Sequence, residues 1–476
     1  MRKVLVIGLG GSGEAASRFL LKRGFAVIGT DTRENPPGRQ NLARTPNFTF
    51  VELKDAGACL PECETVVISP GISPYFSEVA PIVTEAKRLK LDIIGEIELF
   101  ARELERLKEE SGYAPKIIAI TGTNGKTTTT SLTAKMSQAG GKKTVAAGNI
   151  GPNAVTELDK ALEAGDLPEV WVLELSSFQL ETTSSLKPDA AAVLNVTQDH
   201  IDWHGTFEAY ANAKKRIFAS DTVRVLNRED ETTLAMADGK SVRTFGFDEP
   251  KSVGQYGLVE RNGLVFLAKA QAEVLSPRSK TEVPSVEIVP MMPVKAMRIR
   301  GRHNAMNALA ALALIEGAGL SLAKALEALS VYEGEAHRVQ YVLTKEGVEF
   351  FDDSKGTNVG ATVAALTGLG EEGRKICVIL GGDGKGQAFT DLKPAATKYV
   401  RAAFMIGRDA KLIADAIASD AFPIVFCEDL PEAVRGAYAA AKKGDAVLLS
   451  PACASWDMFE NYAHRARVFI EAAKAL

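Results

Sequence analysis

The sequence is poor in cysteine and has no segment long enough to cross a membrane. Its 476 residues include only five cysteines, which are scattered and lack the paired spacing of a zinc finger. Such an odd, dispersed set is typical of reduced thiols in a cytosolic protein. No apolar stretch reaches membrane-spanning length, and the apolar segment after Met1 is too short for a signal-peptide core. We therefore expect a cytoplasmic protein with no membrane insertion.

A large excess of charge of one sign is also absent. The formal net charge is −4 and no long basic run occurs, so the sequence lacks the electrostatic footprint of a nucleic-acid-binding protein. Hydrophobic residues make up 46% and charged residues 24%, which is enough to bury several ordinary cores. We expect a monomer of about three domains that acts on small molecules and has no nucleic-acid partner.

Short apolar runs alternate with amphipathic segments along most of the chain, which is typical of α/β domains built on parallel sheets. The exception is the segment 253–299, which favours irregular β-structure. We predict three domains: a Rossmann-like domain over 1–95, a P-loop-type domain over 96–334 that begins with a charged linker helix, and a Rossmann-like domain over 335–476.

The strongest motif is TGTNGKTT, residues 121–128, between a predicted strand and a predicted helix. Glycines here let backbone N–H groups close around phosphates. Lys126 would place a positive charge at the β- and γ-phosphates, and the Thr127 hydroxyl would bind Mg²⁺. The strict pattern requires glycine at position 120, which is Ile120, so this is a variant of the ATP-binding loop. A plain strand-to-helix turn is the alternative, but the order of strand, loop and helix favours nucleotide binding.

A second glycine-rich loop, GLGGSG at 8–13, follows the first predicted strand, and Asp31 ends the next one. This pattern is typical of dinucleotide-binding domains, in which a diphosphate approaches the helix N-terminus and the acid reaches a ribose or base. Taken alone, it leaves open a nicotinamide-dependent oxidoreductase or a close-packed turn with no ligand. An oxidoreductase does not explain the ATP-type loop. A non-catalytic nucleotide switch does not explain the polar motifs of the third domain.

Acidic and imidazole side chains follow two strands of the middle domain. Glu174 lies at the end of the predicted strand 170–175, and His200, beside Asp199, comes after the strand 190–196. Such positions line the crevice of an open α/β sheet, where a carboxylate and an imidazole suit Mg²⁺ bound to nucleotide phosphates. We prefer this metal role for His200 over that of a general base. From the residues alone, Lys214 is expected on a solvated helix face.

Polar segments also follow the predicted strands of the third domain. They are DDSKGTN at 352–358, GGDGK at 381–385 and SPACAS at 450–455. Each is a weak signal, but together at one sheet edge they indicate a site for a polar ligand. Just before this domain, Asn304 and Asn307 share a helix face, where carboxamides can bracket a purine or ribose.

Together these motifs resemble those of the Mur ligases, and the resemblance covers all three domains. TGTNGKTT is shared across that family, whereas LELSSFQLE at 173–181, GNIG at 148–151 and the third-domain segments resemble the member that adds D-glutamate. The resemblance implies an ATP-dependent carboxylate–amine ligase of peptidoglycan precursor synthesis. It would join D-glutamate to UDP-N-acetylmuramoyl-L-alanine through an acyl phosphate, using ATP and two Mg²⁺ ions.

Carried over by position, the resemblance implies five sets of site residues. The UDP-substrate would contact Ser12, Asp31, Thr32, Arg33, Ser69, Gly71, Asn149, Ser176 and Gln179. ATP would contact Gly122, Thr123, Asn124, Gly125, Lys126, Thr127, Thr128, Asn304, Asn307, Arg338 and Asp353. The metal ions would be bound by Thr127, Glu174, His200 and Lys214, the last as its carbamate, and the catalytic residues would be Lys126, His200 and Lys214. D-Glutamate would be bound by Lys355, Thr357, Lys385, Ser455 and Tyr462.

Two positions depart from the pattern of the family. Gln340 stands where Glu is common, and Tyr462 stands where Phe is expected. Neither departure touches the phosphate chemistry, and the second affects the contacts to D-glutamate. Within the ligases, a folylpolyglutamate synthetase is the alternative, but that family lacks a UDP-type first domain.

Overall fold

The computed structural model describes residues 2–238, 241–272, 285–299, 301–371, 373–384 and 386–476. The chain forms two compact units, one of Met1–Ala296 with Asn307–Ser330 and one of Met297–Met306 with Val331–Leu476. Each unit is an α/β structure, which confirms the predicted fold class. No helix in the described ranges is long and apolar enough to cross a membrane.

The first unit begins with a parallel sheet in the order β3-β2-β1-β4-β5. These strands are β1 (Lys3–Ile7), β2 (Ala26–Thr30), β3 (Phe48–Phe50), β4 (Cys63–Ile68) and β5 (Asp92–Ile94). The helices around them are α1 (Gly11–Lys22), α2 (Pro37–Leu42), α3 (Leu53–Ala56), a 3₁₀ turn at Gly57–Glu62 and α4 (Ala80–Arg88). The strand order reverses between β1 and β4, so the loops that follow these two strands lie side by side.

A second, larger sheet of the same unit has the order β14-β13-β12-β11-β10-β9-β6-β8-β7. Its strands are β6 (Lys116–Thr121), β7 (Thr144–Gly148), β8 (Val170–Glu174), β9 (Ala190–Val193), β10 (Val223–Asn227), β11 (Val242–Phe245), β12 (Gln255–Arg261), β13 (Leu264–Ala272) and β14 (Val286–Pro293). The strands from β6 to β12 are parallel to one another, and β13 and β14 extend the sheet antiparallel from β12. The described parts of the predicted β-rich segment, 253–272 and 285–299, contain β12 and this antiparallel extension, and residues 273–284 lie outside the described residues.

Helices connect and cover the second sheet. They are α5 (Glu96–Ser111), α6 (Lys126–Ala139), α7 (Ala154–Ala164), α8 (Ser177–Glu181), α9 (Ile201–His204), α10 (Phe207–Lys215), α11 (Glu231–Leu234), α12 (Arg302–Gly317) and α13 (Leu322–Val331), with a 3₁₀ turn at Val294–Ala296. The central strand β6 is almost entirely apolar, and Ile118, Ala119 and Ile120 are fully buried. A buried strand of this kind requires cover on both faces, as parallel sheets do.

The second unit has a sheet in the order β15-β16-β20-β17-β18-β19. Its strands are β15 (Gln340–Lys345), β16 (Val348–Asp352), β17 (Ile376–Gly381), β18 (Val400–Ile406), β19 (Ile424–Phe426) and β20 (Ala446–Leu449). Its helices are α14 (Val359–Glu371), α15 (Leu392–Tyr399), α16 (Ala410–Ile417), α17 (Leu430–Ala440) and α18 (Tyr462–Ala475). Because β20 lies between β16 and β17, the loops after these three parallel strands meet at one edge.

Helix α5 carries two buried glutamates near its N-terminus. Glu96 is 3% exposed, and its Oε1 accepts a hydrogen bond from the Val155 N–H at 2.8 Å. Glu98 is 1% exposed and accepts from the N–H groups of Ser184 and Ser185. Burial raises the pKa of Glu96 to about 7, although backbone donors oppose the shift. The pKa of Glu98 is lowered, because backbone and Arg102 hydrogen bonds outweigh the effect of burial.

The raised pKa of Glu96 predicts a pH dependence of stability. Since it lies above the ordinary 4.5, the folded state binds this proton more tightly than the unfolded state. The resulting stability is fully present below pH 4.5 and is lost as the pH rises through about 7. The loss is on the order of 3 kcal/mol. In denaturant unfolding at a series of pH values, Glu96→Gln should flatten this decline. Glu98→Gln should leave the decline in place, and an unchanged profile in Glu96→Gln would contradict the prediction.

Candidate active site

The loop between β6 and α6 makes a tight turn around its own lysine. Gly122 and Gly125 have φ angles of +156° and +83°, which favour glycine. A Cβ at Gly122 would lie 2.9 Å from the Leu194 Cβ, so the turn also leaves no space for a side chain. Lys126, the first residue of α6, donates from Nζ to the carbonyls of Gly122 at 2.8 Å and Thr123 at 2.9 Å. Its ammonium thus lies beside the N-terminus of α6, a geometry that suits phosphate.

The isoleucine that replaces the expected first glycine has a structural explanation. Ile120 is fully buried within β6, and its register partner in β8 is Glu174. The tight turn begins only at Gly122, so no glycine is required at position 120. After the turn, Thr127 and Thr128 lie buried in the first turn of α6.

Two residues that the sequence did not single out support this loop. Asn195 accepts from the Asn124 N–H at 2.8 Å through Oδ1 and donates from Nδ2 to the Asn124 carbonyl at 3.1 Å. The Tyr210 hydroxyl lies 2.9 Å from the Thr123 Oγ1. Asn195 follows β9, which pairs with β6, so its position at a strand end beside the loop was the available signal.

Glu174, predicted as a metal ligand, lies at the end of β8 and is 2% exposed. Asn149 holds it twice, because its N–H donates to the Glu174 carbonyl at 2.8 Å and its Nδ2 donates to Oε1 at 2.7 Å. The other carboxylate oxygen, Oε2, is buried and has no hydrogen-bond partner among the described residues. An unpartnered buried carboxylate oxygen is costly unless a cation or donor arrives, so Glu174 fits a Mg²⁺ ligand.

His200 lies in the loop before α9 with a φ of +54°, an unusual conformation for a residue other than glycine. Its ring packs edge-on against Phe178 with 4.6 Å between centroids, and its Nε2 lies 3.4 Å from an Asp199 carboxylate oxygen. Burial lowers the pKa of His200, and so do the nearby charges of Lys126 and Lys214, against the opposite effect of Asp199. A neutral imidazole of this kind is able to bind a metal ion.

Lys214 is not solvated, in contrast to the expectation from the residues alone. It is 2% exposed on α10, and its Nζ donates to the Gly122 carbonyl at 3.0 Å. The Nζ also lies 4.5 Å from the centroid of the Tyr210 ring. The helix turns this face inward because Tyr210, one turn earlier, is buried with it. Burial lowers the pKa of Lys214 well below its ordinary value, and the charge of Lys126 adds to the effect.

At the first sheet, the loops after β1 and β4 are packed against each other. Gly8 has a φ of +88°, and a Cβ there would lie 2.8 Å from the Ser69 Cβ. The Ser69 hydroxyl donates to the Gly8 carbonyl at 2.7 Å. A Cβ at Gly13 would lie 1.7 Å from the same carbonyl, so only glycine permits this approach of helix α1. Gly71, also predicted to contact the UDP-substrate, is exposed just after this contact.

The Asp31 carboxylate is already engaged within the protein. It is 4% exposed, and its oxygens accept from the Leu9 N–H at 2.5 Å and from the Arg33 Nε and Nη2, each at 2.9 Å. Burial would raise the pKa of Asp31, but the Arg33 and backbone hydrogen bonds outweigh it and lower the pKa. A dinucleotide-binding acid must offer its oxygens to a ribose, whereas here Thr32 and the Arg33 side chain face solvent. Because the Asp31 oxygens are already engaged, this arrangement does not favour the ribose contact of a nicotinamide dinucleotide.

Three other residues predicted to contact the UDP-substrate have structural partners. Ser176 and Gln179 form a capping box at the start of α8, in which each side chain bonds the other residue's backbone N–H. Ser12, in the first turn of α1, accepts from the Asn153 Nδ2 at 3.3 Å. A ligand contact at these positions therefore has to share groups that already hold the loops in place.

In the second unit, the loop after β16 is anchored by Asp353. This aspartate is 4% exposed, and its oxygens accept from the Ser450 hydroxyl at 2.6 Å and the Val339 N–H at 3.2 Å. Burial raises the pKa of Asp353 to about 7, although Ser450 and the charge of Arg338 act in the opposite direction. Gln340, one of the two departures, accepts from the His337 N–H at 3.0 Å.

The residues predicted to bind D-glutamate are partly brought together. The Lys355 Nζ lies 5.6 Å from the centroid of the Tyr462 ring, which is 38% exposed. Ser455 is buried after β20, and Thr357 is half-buried two residues beyond Lys355. Lys385 lies outside the described residues.

Arg465, which was not predicted from the sequence, links two of these loops. Its side chain is fully buried and donates to the Ser354 hydroxyl and carbonyl, at 3.1 and 2.8 Å, and to the carbonyls of Cys453 and Ala454. Burial lowers the pKa of Arg465 to about 10. Its spacing of three residues from Tyr462 in α18 was the only available signal.

Backbone strain in residues other than glycine marks several of the same loops. Positive φ angles occur at His200 (+54°), His337 (+66°), Val339 (+44°) and Ala452 (+59°). The value at Val339 is especially unfavourable because its side chain is β-branched. Such outliers often occur at functional sites, where surrounding contacts maintain them.

The two asparagines of α12 have different environments. Asn307 belongs to the first unit, where its Oδ1 lies 2.5 Å from the position that a Cβ would take at Gly125. Asn304 belongs to the second unit, and its N–H donates to the Gly301 carbonyl at 3.0 Å. Within the described part of the chain, no group of three or more His, Cys, Asp or Glu side chains could hold a metal ion by itself.

Models of known protein families match most of the chain. Residues 2–95 match the Mur ligase MurD-like N-terminal domain, and residues 120–315 match the Mur ligase middle domain. Residues 337–453 match the domain described as the glutamate ligase domain of Mur ligases. The three matches follow the three sheets of the structure.

Individual relatives agree with these matches. A UDP-N-acetylmuramoylalanine–D-glutamate ligase of Paraburkholderia phymatum is 49% identical over 98% of this chain and 94% of its own. One of Burkholderia mallei is 48% identical over 99% and 96%. A solved UDP-N-acetylmuramate-alanine ligase of Thermotoga maritima has a TM-score of 0.58 at 22% identity, covering 100% of both chains, and so shares the fold. The chain belongs to the Mur ligase family.

Proposed function

We propose that this protein is an ATP-dependent ligase that adds D-glutamate to UDP-N-acetylmuramoyl-L-alanine. One geometric observation carries the ATP-dependent chemistry: Lys126 and the buried Lys214 both donate to the carbonyl of Gly122 in the glycine-rich loop. The Lys126 ammonium places positive charge where the loop would close on a triphosphate, and Lys214, whose pKa is lowered, lies beside it at the same carbonyl. The choice of substrates follows the names of the two relatives, which are 48–49% identical over nearly the whole chain.

The reaction requires activation of a poor acyl donor. The carboxylate of the alanyl group attacks the γ-phosphorus of ATP, ADP leaves, and an acyl phosphate forms. The amine nitrogen of D-glutamate then attacks the acyl carbon, the C–O bond to phosphate breaks, and the amine loses a proton. The Gly122–Gly125 backbone and Lys126 would hold the phosphates in line and neutralise charge on the transferred group. A covalent intermediate with the enzyme is not needed.

Glu174, Thr127, His200 and the carbamate of Lys214 would bind two Mg²⁺ ions, and Asn149 orients the Glu174 carboxylate for this task. Bound Mg²⁺ would supply charge neutralisation at the phosphate oxygens. The UDP part of the substrate would bind at the loops that contain Gly8 and Ser69. Ser12, Thr32, Arg33 and Gly71 would lie at the edge of this UDP site.

Domain limits at 95 and 334, a monomeric state and a cytoplasmic location stay predictions.

D-Glutamate would be received in the second unit by Lys355, Lys385, Thr357, Ser455 and Tyr462. A substrate with two carboxylates requires two anion sites in a fixed relation, so that only one enantiomer presents its amine. Tyr462, in place of the expected Phe, adds a hydroxyl while still placing an aromatic face near Lys355. The packed Arg465 network fixes the loops that carry Lys355 and Ser455.

The experiment that tests the proposal is phosphate release with a panel of amino acids. Given ATP, Mg²⁺ and UDP-N-acetylmuramoyl-L-alanine, the enzyme should turn over with D-glutamate and hardly at all with L-glutamate, L-alanine or diaminopimelate. A neutral acceptor lacks the side-chain carboxylate that the half-buried Lys355 would bind, so it forgoes a charge-assisted hydrogen bond. Lys385→Ala should raise the KM for D-glutamate more than the KM for ATP. Equal turnover with any of the other amino acids would assign the protein to a sister activity.

A further inference from the structure

The segment 148–153 lies between the two candidate ligand sites of the first unit. At one end, Asn149 binds both the carbonyl and the Oε1 of Glu174. At the other end, the Asn153 Nδ2 donates to the hydroxyl of Ser12, in the first turn of α1 and next to the loop proposed for the UDP part. The same short segment thus touches the carboxylate proposed for Mg²⁺ and a helix next to the loop proposed for the nucleotide-sugar.

The backbone of this segment forms a closed turn. The Gly148 N–H donates to the Pro152 carbonyl at 2.9 Å, and the Gly151 N–H donates to the Gly148 carbonyl at 2.9 Å. Gly148 has a φ of +100°, and a Cβ there would lie 2.4 Å from the Glu174 carbonyl, so the turn is in close contact with β8. Because the turn is bonded to itself, a shift of its C-terminal end moves Asn149 as well.

That C-terminal end is fixed from another helix. Asn153 is the N-cap residue of α7, but its side chain makes no capping hydrogen bond. Glu96, at the start of α5, accepts from the Val155 N–H at 2.8 Å. A buried carboxylate from α5 therefore supplies the cap that α7 lacks. Gly95, just before Glu96, is in turn held by its N–H donating to the Thr182 carbonyl.

We propose that Glu96 is a positioning residue for the ligase reaction. By capping α7, Glu96 fixes segment 148–153, and this segment holds both Glu174 and Ser12 in position. The proposal rests on the proposed function for the identity of the two ligands. Glu96 itself contacts neither ligand site and acts through Asn149 and Asn153. Loss of the cap should therefore weaken metal–nucleotide binding and UDP binding in the same variant.

The chain offers variants that separate these effects. Glu96→Ala removes the cap and should weaken both ligands roughly tenfold, as displaced supporting residues of metal sites commonly do. Asn153→Ala removes only the contact to Ser12 and should weaken UDP alone. Glu98→Ala is the matched control, since Glu98 is equally buried on α5 but binds the N–H groups of Ser184 and Ser185. Glu96→Gln keeps one acceptor and should restore most of both affinities.

The test uses the full-length protein and two binding measurements that need no turnover. UDP binding is measured by titration calorimetry, and Mn²⁺ binding in the presence of ADP by electron paramagnetic resonance. Steady-state phosphate release then gives the KM for D-glutamate, which should be unchanged in Glu96→Ala. Failure of the proposed function would appear as a wild-type enzyme that does not turn over D-glutamate, whereas failure of this inference would appear among the variants of an active enzyme.

Circular dichroism and thermal unfolding first establish that each variant is folded. If Glu96→Ala does not fold, the pair Glu96→Asp and Glu98→Asp makes the same comparison, because the shorter side chain withdraws the acceptor from α7. The inference is overturned if the Glu96 and Glu98 variants bind UDP and Mn²⁺–ADP alike. It is equally overturned if a Glu96 variant weakens only one of the two ligands.

Discussion

Lys126→Ala should lower kcat by roughly a hundred- to a thousandfold while the protein stays folded. The Lys126 ammonium lies over the turn of the glycine-rich loop, 2.8 Å from the Gly122 carbonyl and 2.9 Å from the Thr123 carbonyl. No other lysine emerges from the first turn of α6. Its charge would be in contact with the transferred phosphoryl group, so its loss removes stabilisation that is strongest in the transition state. Steady-state phosphate release at saturating substrates measures the effect.

Lys135→Ala is the matched control for this prediction. Lys135 lies on the same helix, α6, but its side chain is exposed to solvent. Both variants remove one positive charge from the same helix, so a general electrostatic effect would appear in both. Near-normal turnover in Lys126→Ala, or equal losses in the two variants, would contradict the role of the glycine-rich loop in phosphoryl transfer.

The sheet architecture could be predicted because the central strands are short, apolar and bounded by clear loops. Strands β1, β6 and β20 fall where apolar runs occur, and each is almost completely buried. The short strands β3, β5 and β19 were not predicted, since each has only three residues and is partly exposed. Strands of this kind form because a neighbour already offers a hydrogen-bonding edge, and three residues carry too little periodicity to reveal it.

In the candidate site, too, some features could be predicted from the sequence and others could not. The glycine-rich loops could be predicted, because a tight turn between strand and helix places strict demands on residue type. The burial of Lys214 could not, because a lysine on a helix looks the same whether its face meets water or another loop. Nor could the engagement of Asp31 by Arg33, since a pair two residues apart forms only when the backbone turns back on itself.

Residues that support the site from a distance in sequence were the hardest to find. Asn195 and Tyr210 contact the loop between β6 and α6, although they lie 71 and 87 residues from their partners in the sequence. Glu96 contacts α7 over a sequence separation of 59 residues, and Arg465 contacts Ser354 over a separation of 111. Each is an ordinary polar residue in its own segment, and only the packing of two elements gives it a partner. The chemistry of a site is thus visible in local motifs, whereas its positioning depends on tertiary structure.

Lys214→Ala should be the second variant with a very large loss of activity. Burial and the neighbouring Lys126 lower the pKa of Lys214 well below its ordinary value, so the neutral amine is accessible to it. A neutral amine reacts with CO₂ by forming an N–C bond and releasing a proton, which converts the side chain into an anionic carbamate. Its oxygens are hard ligands that suit Mg²⁺, whereas an ammonium would repel the ion. We expect turnover to fall by on the order of a hundredfold or more when this ligand is removed.

The modification and the loss of activity can be tested separately. Intact-protein mass spectrometry under CO₂ should show the added mass of one CO₂ at Lys214, and short carboxylic acids should partly restore Lys214→Ala because they fit the vacated space as oxygen ligands. The matched control is Lys215→Ala. In the unchanged protein, the Lys215 side chain is 40% exposed and its Nζ pairs with an Asp238 carboxylate oxygen at 2.8 Å. That variant should retain activity and show no response to carboxylic acids. An active Lys214→Ala, or equal rescue of both variants, would show that Lys214 serves only to brace the Gly122 carbonyl.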